Sequence, residues 1–344
     1  MSTERVAVIG GGAWGTALAD LLARHGHSVR LWVFEEELAA QMAGARENTI
    51  YLPGHRLHDG VEPSSDLAWV VRGAPVVLSV SPSQVVRQVM GRAAPHIGPG
   101  TTVVSASKGI ENGTLQLMHE VLREVLPQVP DRQIAVLSGP SFAAEVMRGI
   151  PTAVSLACPD PHVAARVQRL LSGPTFRVYT LDDLVGVELG GALKNVIALA
   201  AGISDGLGFG YNSRAALITR GLAEISRLGA ALGAQPLTFL GLSGMGDLVL
   251  TCTGDLSRNR TVGLRLGRGE RLEAILGSMK AVAEGVKTCD SVVGLAERLG
   301  VEVPIAREVW SVLHQAKDPR RAVEDLMSRP AKREFWDLES PPPG

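Results

Sequence analysis

Short runs of apolar, mostly β-branched residues recur through the first half of the chain, and each is followed by a turn and a helical pattern. Seven such runs lie before residue 182: RVAVIG, HSVRLWVF, APVVLSV, TTVVSAS, QIAVLSG, TAVSLAC and FRVYT. Strands that are apolar on both faces and alternate with helices are typical of a parallel sheet covered by helices on both sides. The pattern therefore predicts an α/β domain over residues 1–180.

Beyond FRVYT the strand pattern stops and apolar residues recur at helical spacing. Helices are predicted through LGGALKNVIALAAGIS, SRAALITRGLAEISRLGAALG, VKTCDSVVGLAERLG and AREVWSVLHQ. A chain of 344 residues also exceeds the roughly 250 to 300 that a single core serves, which favours two domains. We therefore expect an all-α domain over residues 181–330 and, after it, a flexible tail over 331–344 that ends in ESPPPG.

Composition and charge exclude several classes of protein. The net charge is −1 without a basic or acidic block, so no nucleic-acid partner is expected and a charged ligand would be recognised locally. The three cysteines, Cys158, Cys252 and Cys289, form no CxxC pair, which argues against a disulfide framework or a metal site. No stretch approaches the ~18 apolar residues of a membrane span, and the N-terminal apolar run is too short for a signal sequence. We expect a cytoplasmic protein.

The first candidate site is the segment VAVIGGGAWGTALADLLARHGHSV. A predicted strand, Val6 to Ile9, leads into Gly10, Gly12 and Gly15 at GxGxxG spacing, and a helix and a second strand follow. In this context Gly10 permits a tight turn, Gly12 lets the backbone approach a pyrophosphate, and Gly15 lets helix and strand pack closely. The helix N-terminus adds free N–H groups and a positive dipole. The segment predicts a Rossmann-type domain that binds NAD(H) or NADP(H).

The end of the second strand bears on the choice between these cofactors. Glu35 lies about 20 residues beyond the glycines, where an acidic residue binds the ribose 2′-OH of NAD. It can equally belong to an acidic first helical turn. Arg30, earlier in the strand, is either a solvated charge or a contact to the 2′-phosphate of NADP. The residues leave both cofactors open.

Three later turns carry polar residues: SVSPSQ, SASKGIE and LSGPSFAAEV. Ligands of open α/β sheets bind beyond the carboxyl ends of the strands, so these turns are expected to converge on one cleft. Lys108 either points a cation at nicotinamide or substrate, or is solvated. The residues from Ser138 to Ser141 are typical of a capped turn into a helix that begins near Phe142.

In the helical half, Lys194 is the single charge among the sixteen residues LGGALKNVIALAAGIS. A buried ammonium is costly unless it is paired, so Lys194 needs a partner or a chemical role. Asp247 follows SGMG at a predicted helix start, where an acidic residue is favourable for its charge alone. The run SRNR, residues 257–260, opens another helix, either as a cap followed by solvated arginines or as a phosphate site.

Taken together, these segments resemble the bacterial NAD(P)-dependent glycerol-3-phosphate dehydrogenases. The resemblance extends from about residue 5 to 328 and rests on GGGAWGTALA, NTIYLPG, SASKGIE, LSGPSFAAEV, GGALKNVIALAAGISDGLGFG, NSRAALITRGLAEISRLGAALGA, GMGDLVLTCT and SRNR, in the family's order. It implies reversible reduction of dihydroxyacetone phosphate to sn-glycerol 3-phosphate by NAD(P)H, which supplies phospholipid backbones. A homodimer is also expected.

The resemblance implies roles for particular residues. The family's catalytic lysine falls on Lys194, and Asp247 and Asn195 are expected to orient it. Phe34 departs from the family, in which many members carry a basic residue at that position, so a contact to the 2′-phosphate of NADP is lost. Substrate contacts are implied at Lys108, Gly139, Ser141, Lys194, Asp247, Ser257, Arg258 and Asn259. Cofactor contacts beyond Gly10, Gly12, Gly15 and Glu35 are implied at Ala13, Trp14, Phe34, Lys108, Ala143, Arg258, Val282 and Glu284.

The chemistry explains why a lysine would lie in an apolar helix. A ketone reduced by hydride becomes an alkoxide, and Lys194 would supply its proton because burial lowers the pKa of an ammonium toward working pH. The alternative is a lysine whose stem packs on apolar surface while its head reaches water. Two other functions stay open: a β-hydroxyacid or 6-phosphogluconate type dehydrogenase of the same architecture, and a sensor that binds NAD(H) without catalysis.

Overall fold

The strands lie in the first half of the chain, as the hydrophobic runs predict. A computed structural model describes residues 3–279 and 283–334. Within them the strands are Arg5–Ile9 (β1), Ser28–Trp32 (β2), Glu47–Asn48 (β3), Leu52–Arg56 (β4), Val61–Ser64 (β5), Val76–Ser79 (β6), Thr102–Ser105 (β7), Ile134–Ser138 (β8), Thr152–Ala157 (β9) and Phe176–Leu181 (β10). All seven predicted runs form strands, whereas the sequence pattern missed β3, β4 and β5.

Helices separate the strands and then make up the second half of the chain. The first half contains Ala13–Arg24 (α1), Glu36–Ala45 (α2), Leu67–Val71 (α3), Val86–Ala93 (α4), Met118–Val125 (α5), Ala143–Met147 (α6) and Pro161–Leu171 (α7). The second half contains Leu184–Gly206 (α8), Tyr211–Ala231 (α9), Asp247–Thr253 (α10), Arg258–Gly267 (α11), Leu272–Gly277 (α12), Glu284–Leu299 (α13), Pro304–His314 (α14) and Pro319–Met327 (α15). Of the predicted flexible tail, residues 335–344 lie outside the described residues.

Polar caps determine where several of these helices begin. Asp160 and Asp318 each accept two hydrogen bonds from N–H groups of the first turn, and a proline follows each of them at the first helical position. Asp183 caps α8 by accepting the N–H of Gly186. Ser257 caps α11 by accepting the N–H of Arg260, so the predicted cap is present.

The main sheet has the strand order β10-β9-β8-β7-β6-β1-β2-β5. Its pairs are parallel except for β8 and β9, which run antiparallel, so the expectation of a wholly parallel sheet is wrong at this position. The connection explains the reversal: α6 has only five residues, about 7.5 Å of helix, and is too short to carry the chain back along the sheet.

The neighbours of β1 define where a ligand can bind. Strand β1 pairs with β2 on one side and with β6 on the other, so the strand order reverses at β1. A crevice forms at such a point beyond the carboxyl ends of the strands. The turn after β1 lies so close to the residue that follows β6 that a Cβ on Gly10 would be 2.8 Å from the carbonyl carbon of Val80.

Helix α8 is the centre of the helical half and is buried along most of its length. By length and composition it could cross a membrane, contrary to the expectation that no stretch approaches a span, but 94% of the apolar window is buried inside the protein. Glycines on both helices let the backbones of α8 and α11 pack directly against each other. A Cβ on Gly202 would be 2.1 Å from the carbonyl oxygen of Arg260, and one on Gly263 would be 2.1 Å from that of Leu199.

Candidate active site

Lys194 lies in the middle of α8, and its side chain is only 8% exposed. Its Nζ donates to Asp247 Oδ1 at 2.7 Å and to Thr251 Oγ1 at 2.8 Å. The Thr251 hydroxyl donates to the carbonyl oxygen of Asp247, so its lone pair is free to face the ammonium. Burial lowers the pKa of Lys194 to about 8; Asp247 opposes this fall, and Lys108 adds to it. The lysine is therefore buried and paired, and it does not reach out to water.

One carboxylate holds two ammonium groups in this cleft. Asp247 Oδ2 accepts a hydrogen bond from Lys108 Nζ at 2.7 Å, while Oδ1 faces Lys194. Lys108 lies three residues beyond β7 and also donates to the carbonyl oxygen of Gly139 at 3.0 Å. The two domains thus meet at a cluster of one carboxylate and two lysines.

The turn before α10 explains the position of Asp247. Residues Leu242–Gly246 form a π-helical turn that continues into α10, so Asp247 is not at the free helix start that the sequence predicted. The turn packs on α8, where a Cβ on Gly190 would be 2.4 Å from the carbonyl oxygen of Ser243. Only glycine permits this approach, which brings Asp247 within reach of Lys194.

The two arginines of SRNR have different surroundings. Arg260 donates to Asp205 Oδ2 through Nε at 2.9 Å and to Asp255 Oδ1 through Nη1 at 2.9 Å, so it is ion-paired rather than merely solvated. Arg258 is exposed, and within the described residues its guanidinium makes no hydrogen bond or ion pair. Arg258 therefore has its donors available for a ligand at the start of α11.

Asn195 does not orient Lys194, and this part of the sequence interpretation is wrong. Its Oδ1 accepts a hydrogen bond from Asn259 Nδ2 at 2.9 Å, while Asn259 Oδ1 accepts the N–H of Gly285 at 3.0 Å. Adjacent helical residues point in different directions, so Asn195 faces α11 while Lys194 faces α10. Asn195 instead holds Asn259, one of the predicted substrate contacts.

The turn after β8 supplies Gly139 and Ser141 to the same cleft. Gly139 has a φ of 143°, a conformation that favours glycine. Ser141 Oγ donates to the Gly139 carbonyl oxygen at 3.0 Å. Helix α6 begins after Phe142 without a side-chain cap, so the predicted capping role of Ser138 and Ser141 is wrong.

The glycine-rich turn, residues 10–15, has the geometry of a dinucleotide cradle. A Cβ on Gly15 would be 1.9 Å from the Gly10 carbonyl oxygen, so helix and strand are in backbone contact. A Cβ on Gly12 would meet nothing within 4 Å, which leaves the approach to the start of α1 open. The N-cap Gly12 has no side-chain cap bond, and the N–H groups of Ala13 and Trp14 begin the helix. These residues fit a pyrophosphate.

Glu35 lies three residues beyond the end of β2 and is the N-cap residue of α2, so it is neither in the strand nor in the first helical turn. Its Oε1 accepts a hydrogen bond from the Tyr51 hydroxyl at 2.8 Å. Phe34 beside it is 70% exposed. Arg30 is held elsewhere: its Nη1 donates to the Trp69 carbonyl oxygen at 2.7 Å, and its guanidinium stacks on the Trp69 ring. This arrangement does not support Arg30 as a contact to a 2′-phosphate.

Of the remaining predicted cofactor residues, those that the structure describes lie around this turn or at α13. Trp14 packs against Phe176 with ring centroids 6.5 Å apart, and Ala143 begins α6, which packs on α1. Glu284 begins α13 and accepts the N–H of Ser83 at 3.3 Å; burial raises its pKa, and Arg258 opposes the rise. Val282 lies outside the described residues.

Sequence reasoning missed three polar residues of this region: Thr251, Asn48 and Tyr51. Thr251 lies four residues after Asp247 on α10, a spacing that places both side chains on one face and could have revealed it. Asn48 and Tyr51 lie within NTIYLPG, where no periodicity indicates their contacts.

The described residues also contain a cavity and three cysteines. A cavity of about 870 Å³ lies between α8, α9, α14 and α15, but the described residues that line it include none of the predicted site residues. No group of three His, Cys, Asp or Glu side chains among residues 3–279 and 283–334 could hold a metal ion. All three cysteines are free and buried.

Both halves of the chain match models of one enzyme family. The model described as NAD-dependent glycerol-3-phosphate dehydrogenase N-terminus matches residues 5–164, and the corresponding C-terminus model matches residues 183–324. Glycerol-3-phosphate dehydrogenase [NAD(P)+] of Syntrophotalea carbinolica is 58% identical over 330 residues, covering 96% of this chain and 99% of the relative. The enzyme of the same name from Geobacter sulfurreducens is 58% identical over 334 residues, covering 97% and 100%.

Solved structures agree with these matches. The crystal structure of glycerol-3-phosphate dehydrogenase from Coxiella burnetii is 42% identical, with a TM-score of 0.91 and coverage of 95% of this chain and 99% of that one. Glycerol-3-phosphate dehydrogenase from yeast is 27% identical, with a TM-score of 0.81 and coverage of 95% and 100%. These matches favour this family over the other dehydrogenases of similar architecture and over a non-catalytic sensor. The chain belongs to the NAD-dependent glycerol-3-phosphate dehydrogenase family.

Proposed function

We propose that the protein catalyses the reversible NAD(P)H-dependent reduction of dihydroxyacetone phosphate to sn-glycerol 3-phosphate, with Lys194 as the proton donor. The observation that carries the residue assignment is the buried ammonium held between Asp247 and Thr251, at 2.7 Å and 2.8 Å, beside the crevice of the dinucleotide domain. Bound NAD(P)H supplies the hydride. The protein has to supply the proton and hold the reacting groups in register.

Lys194 is suited to this proton transfer by its surroundings. A general acid acts best when its pKa lies near the working pH, and burial brings the pKa of Lys194 to about 8. Asp247 and Thr251 fix two of its three N–H directions, which leaves the third for the substrate oxygen. Lys108 adds a second positive charge near the oxygen on which negative charge develops.

The start of α11 is the proposed phosphate site. The Arg258 guanidinium is exposed there and lies next to the N-terminal N–H groups of the helix. Asn259 Nδ2 donates one of its two N–H bonds to Asn195, so the other is available to a phosphate oxygen. Gly139 and Ser141 approach from the other domain. Ser257 contributes chiefly by capping the helix.

The adenosine half of the cofactor is proposed to lie on the glycine-rich turn, with Glu35 at the ribose. Glu35 and the exposed Phe34 offer no cation for a 2′-phosphate, and Arg30 is held on Trp69. We therefore expect NADH to be used at least comparably to NADPH. A kcat/KM for NADPH more than about a hundredfold above that for NADH would contradict this assignment.

The function is tested by following NADH and NADPH absorbance at 340 nm with dihydroxyacetone phosphate. Turnover with this substrate and sn-glycerol 3-phosphate as the product support the proposal. Oxidation of a β-hydroxyacid or of 6-phosphogluconate with no reaction of dihydroxyacetone phosphate contradicts it, as does cofactor binding without turnover.

The cellular setting is also part of the proposal. A supply of sn-glycerol 3-phosphate for phospholipid synthesis, a cytoplasmic location and a homodimer accompany the assigned activity. Three free, buried cysteines suit a reducing compartment. We further propose that residues 1–180 and 181–330 are the two domains, in line with β10 ending at Leu181 and α8 beginning at Leu184.

A further inference from the structure

The hairpin of β3 and β4 carries the motif NTIYLPG, for which the reaction itself provides no role. The two strands form a separate two-stranded sheet outside the main one. Asn48, at the end of β3, is completely buried. A buried carboxamide must satisfy two N–H donors and a carbonyl acceptor, so its partners show what it holds in place.

Asn48 uses all of these groups on the cofactor side of the domain. Its Nδ2 donates to the Gly11 carbonyl oxygen at 2.8 Å and to Thr16 Oγ1 at 2.8 Å. Its Oδ1 accepts the N–H of Tyr51 at 3.0 Å. Asn48 therefore joins the glycine-rich turn, helix α1 and the hairpin through one side chain.

The contact to Gly11 fixes the peptide that faces the cofactor. The Gly11 carbonyl and the Gly12 N–H belong to one planar peptide unit, so holding the carbonyl oxygen also sets the direction of that N–H. The same glycine is confined from the other side, since a Cβ on Gly11 would be 2.9 Å from the Val33 side chain. The peptide at the start of α1 is thus held before a pyrophosphate arrives.

Tyr51 extends the same arrangement to the ribose end. Its backbone N–H is held by Asn48, and its hydroxyl donates to Glu35 Oε1 at 2.8 Å. This bond leaves Glu35 Oε2 as the oxygen available to a ribose hydroxyl. A carboxylate that is already oriented loses less conformational entropy when the ligand binds.

We propose that Asn48 is a positioning residue for the glycine-rich turn and that Tyr51 is a specificity-determining residue that acts through Glu35. Asn48 supports binding of NADH and NADPH alike, because both carry the same pyrophosphate. Tyr51 supports NADH selectively, because only NADH presents a free 2′-hydroxyl to Glu35. The part that concerns Tyr51 rests on the proposed role of Glu35 in cofactor choice.

Asn48→Asp tests the first part because it keeps the shape of the side chain and the acceptor for Tyr51 but removes both donors. We expect the Kd values of NADH and NADPH, measured by fluorescence titration, to rise together by about 10 to 100-fold. Their ratio and the kcat at saturating cofactor should stay within about threefold of wild type. Asn212→Asp, at an exposed position on α9, is the matched control and should leave both Kd values unchanged.

Thr16→Val supplies a second test if Asn48→Asp does not fold. It removes one acceptor of Asn48 and keeps the size of the side chain, so both Kd values should rise equally, by about threefold to tenfold. Kd values for both cofactors within about twofold of wild type in a folded Asn48→Asp protein overturn the role of Asn48. An equal loss of kcat and of affinity for dihydroxyacetone phosphate also overturns it, because that result indicates general damage to the fold.

Tyr51→Phe tests the second part through the ratio of kcat/KM for NADH to that for NADPH. We expect this ratio to fall by about tenfold, mainly through the KM of NADH, while exposed Tyr179→Phe leaves it unchanged. Glu35→Gln distinguishes the two ways in which the proposal can fail. If Glu35→Gln lowers the ratio and Tyr51→Phe does not, the role of Tyr51 is overturned and that of Glu35 stands. If neither change lowers it, the assignment of Glu35 also fails.

Discussion

Replacing Lys194 by methionine separates a catalytic lysine from a structural one. Methionine has similar reach and suits apolar surroundings, so the change removes the ammonium with little change in volume. If Lys194 is the general acid, kcat for dihydroxyacetone phosphate should fall by about 10² to 10⁴-fold. The Kd of NADH should stay close to wild type, because the hydrogen bonds of Lys194 go to Asp247 and Thr251 and not to the glycine-rich turn.

The effect on stability follows from two opposing terms. The fall in the Lys194 pKa from 10.5 to about 8 corresponds to about 3 kcal/mol against burying the charged form, which methionine relieves. This value already includes the attraction of Asp247. Against it, methionine leaves the lone pairs of Asp247 Oδ1 and Thr251 Oγ1 that face Lys194 without their donor, which costs about 1 to 3 kcal/mol, while Lys108 remains on Asp247 Oδ2 at 2.7 Å. We expect the free energy of unfolding to stay within about 2 kcal/mol of wild type.

The assay combines steady-state kinetics, fluorescence titration of NADH and thermal unfolding on the same preparations. Lys332→Met, at an exposed position that follows α15 in the chain, is the matched control and should keep wild-type kcat. A folded Lys194→Met protein that retains more than about a tenth of wild-type kcat would refute the assignment of the proton donor. An inactive protein that no longer binds NADH or unfolds far below wild type would instead indicate a structural lysine.

Three further outcomes are expected. Lys194 must be protonated to act as an acid, so kcat/KM for reduction should fall by up to about tenfold per pH unit above the Lys194 pKa of about 8. For the reverse oxidation, kcat/KM should rise through the same pH range. Flat profiles between pH 7 and 9 in both directions would contradict the role of Lys194. Arg258→Ala should lower kcat/KM for dihydroxyacetone phosphate by about 10² to 10⁴-fold but hardly affect kcat/KM for unphosphorylated dihydroxyacetone. The kcat/KM of Arg258→Lys should lie between those of wild type and Arg258→Ala, and exposed Arg268→Ala is the control. An equal loss for both substrates would indicate a role in the fold or in cofactor binding. Burial raises the pKa of Glu224 from 4.5 to about 7, so between these pH values the folded chain binds more protons than the unfolded chain, and this group's contribution to stability is lost as the pH rises. In urea titrations, the free energy of unfolding of Glu224→Gln should therefore fall less than that of wild type between pH 4.5 and 7. Parallel pH curves for the two proteins would contradict the reasoning.

The fold could be predicted where hydrophobic periodicity is strong. Every apolar β-branched run formed a strand, and the change to helical spacing after FRVYT coincides with the end of β10 at Leu181. The prediction failed where periodicity is weak: β5 has the sequence VEPS, and its proline is tolerated because β5 lies at the edge of the sheet. The direction of β9 could not be read from its own residues, because it depends on how far the preceding connection travels.

The candidate site shows the same division between local and long-range information. The GxGxxG spacing is local, and its glycines have the contacts that the spacing implies. The pairing of Lys108 with Asp247 joins residues 139 positions apart, so the sequence could indicate only that both belong near one cleft. The expected contact of Asn195 with Lys194 conflicts with helix geometry, since consecutive residues on a helix point about 100° apart, and Asn195 faces Asn259 instead.

The charge balance of the cleft explains why one aspartate is shared by two lysines. Asp247 neutralises one ammonium, so the cluster of Lys108, Lys194 and Asp247 keeps a net positive charge inside a poorly solvated site. A second carboxylate hydrogen-bonded to the lysines would cancel that charge and hold the pKa of Lys194 higher, which would make the proton harder to release. Glu284 is also close enough to interact with both lysines, but its hydrogen bond is to the N–H of Ser83 and burial raises its pKa, which favours its neutral form. Without Asp247, the repulsion between two buried ammonium groups would lower the pKa further and leave a neutral amine at working pH. One carboxylate between two lysines thus keeps Lys194 protonated yet acidic, which suits its proposed role as proton donor, and in that proposal the remaining positive charge stabilises the negative charge that reduction places on the substrate oxygen.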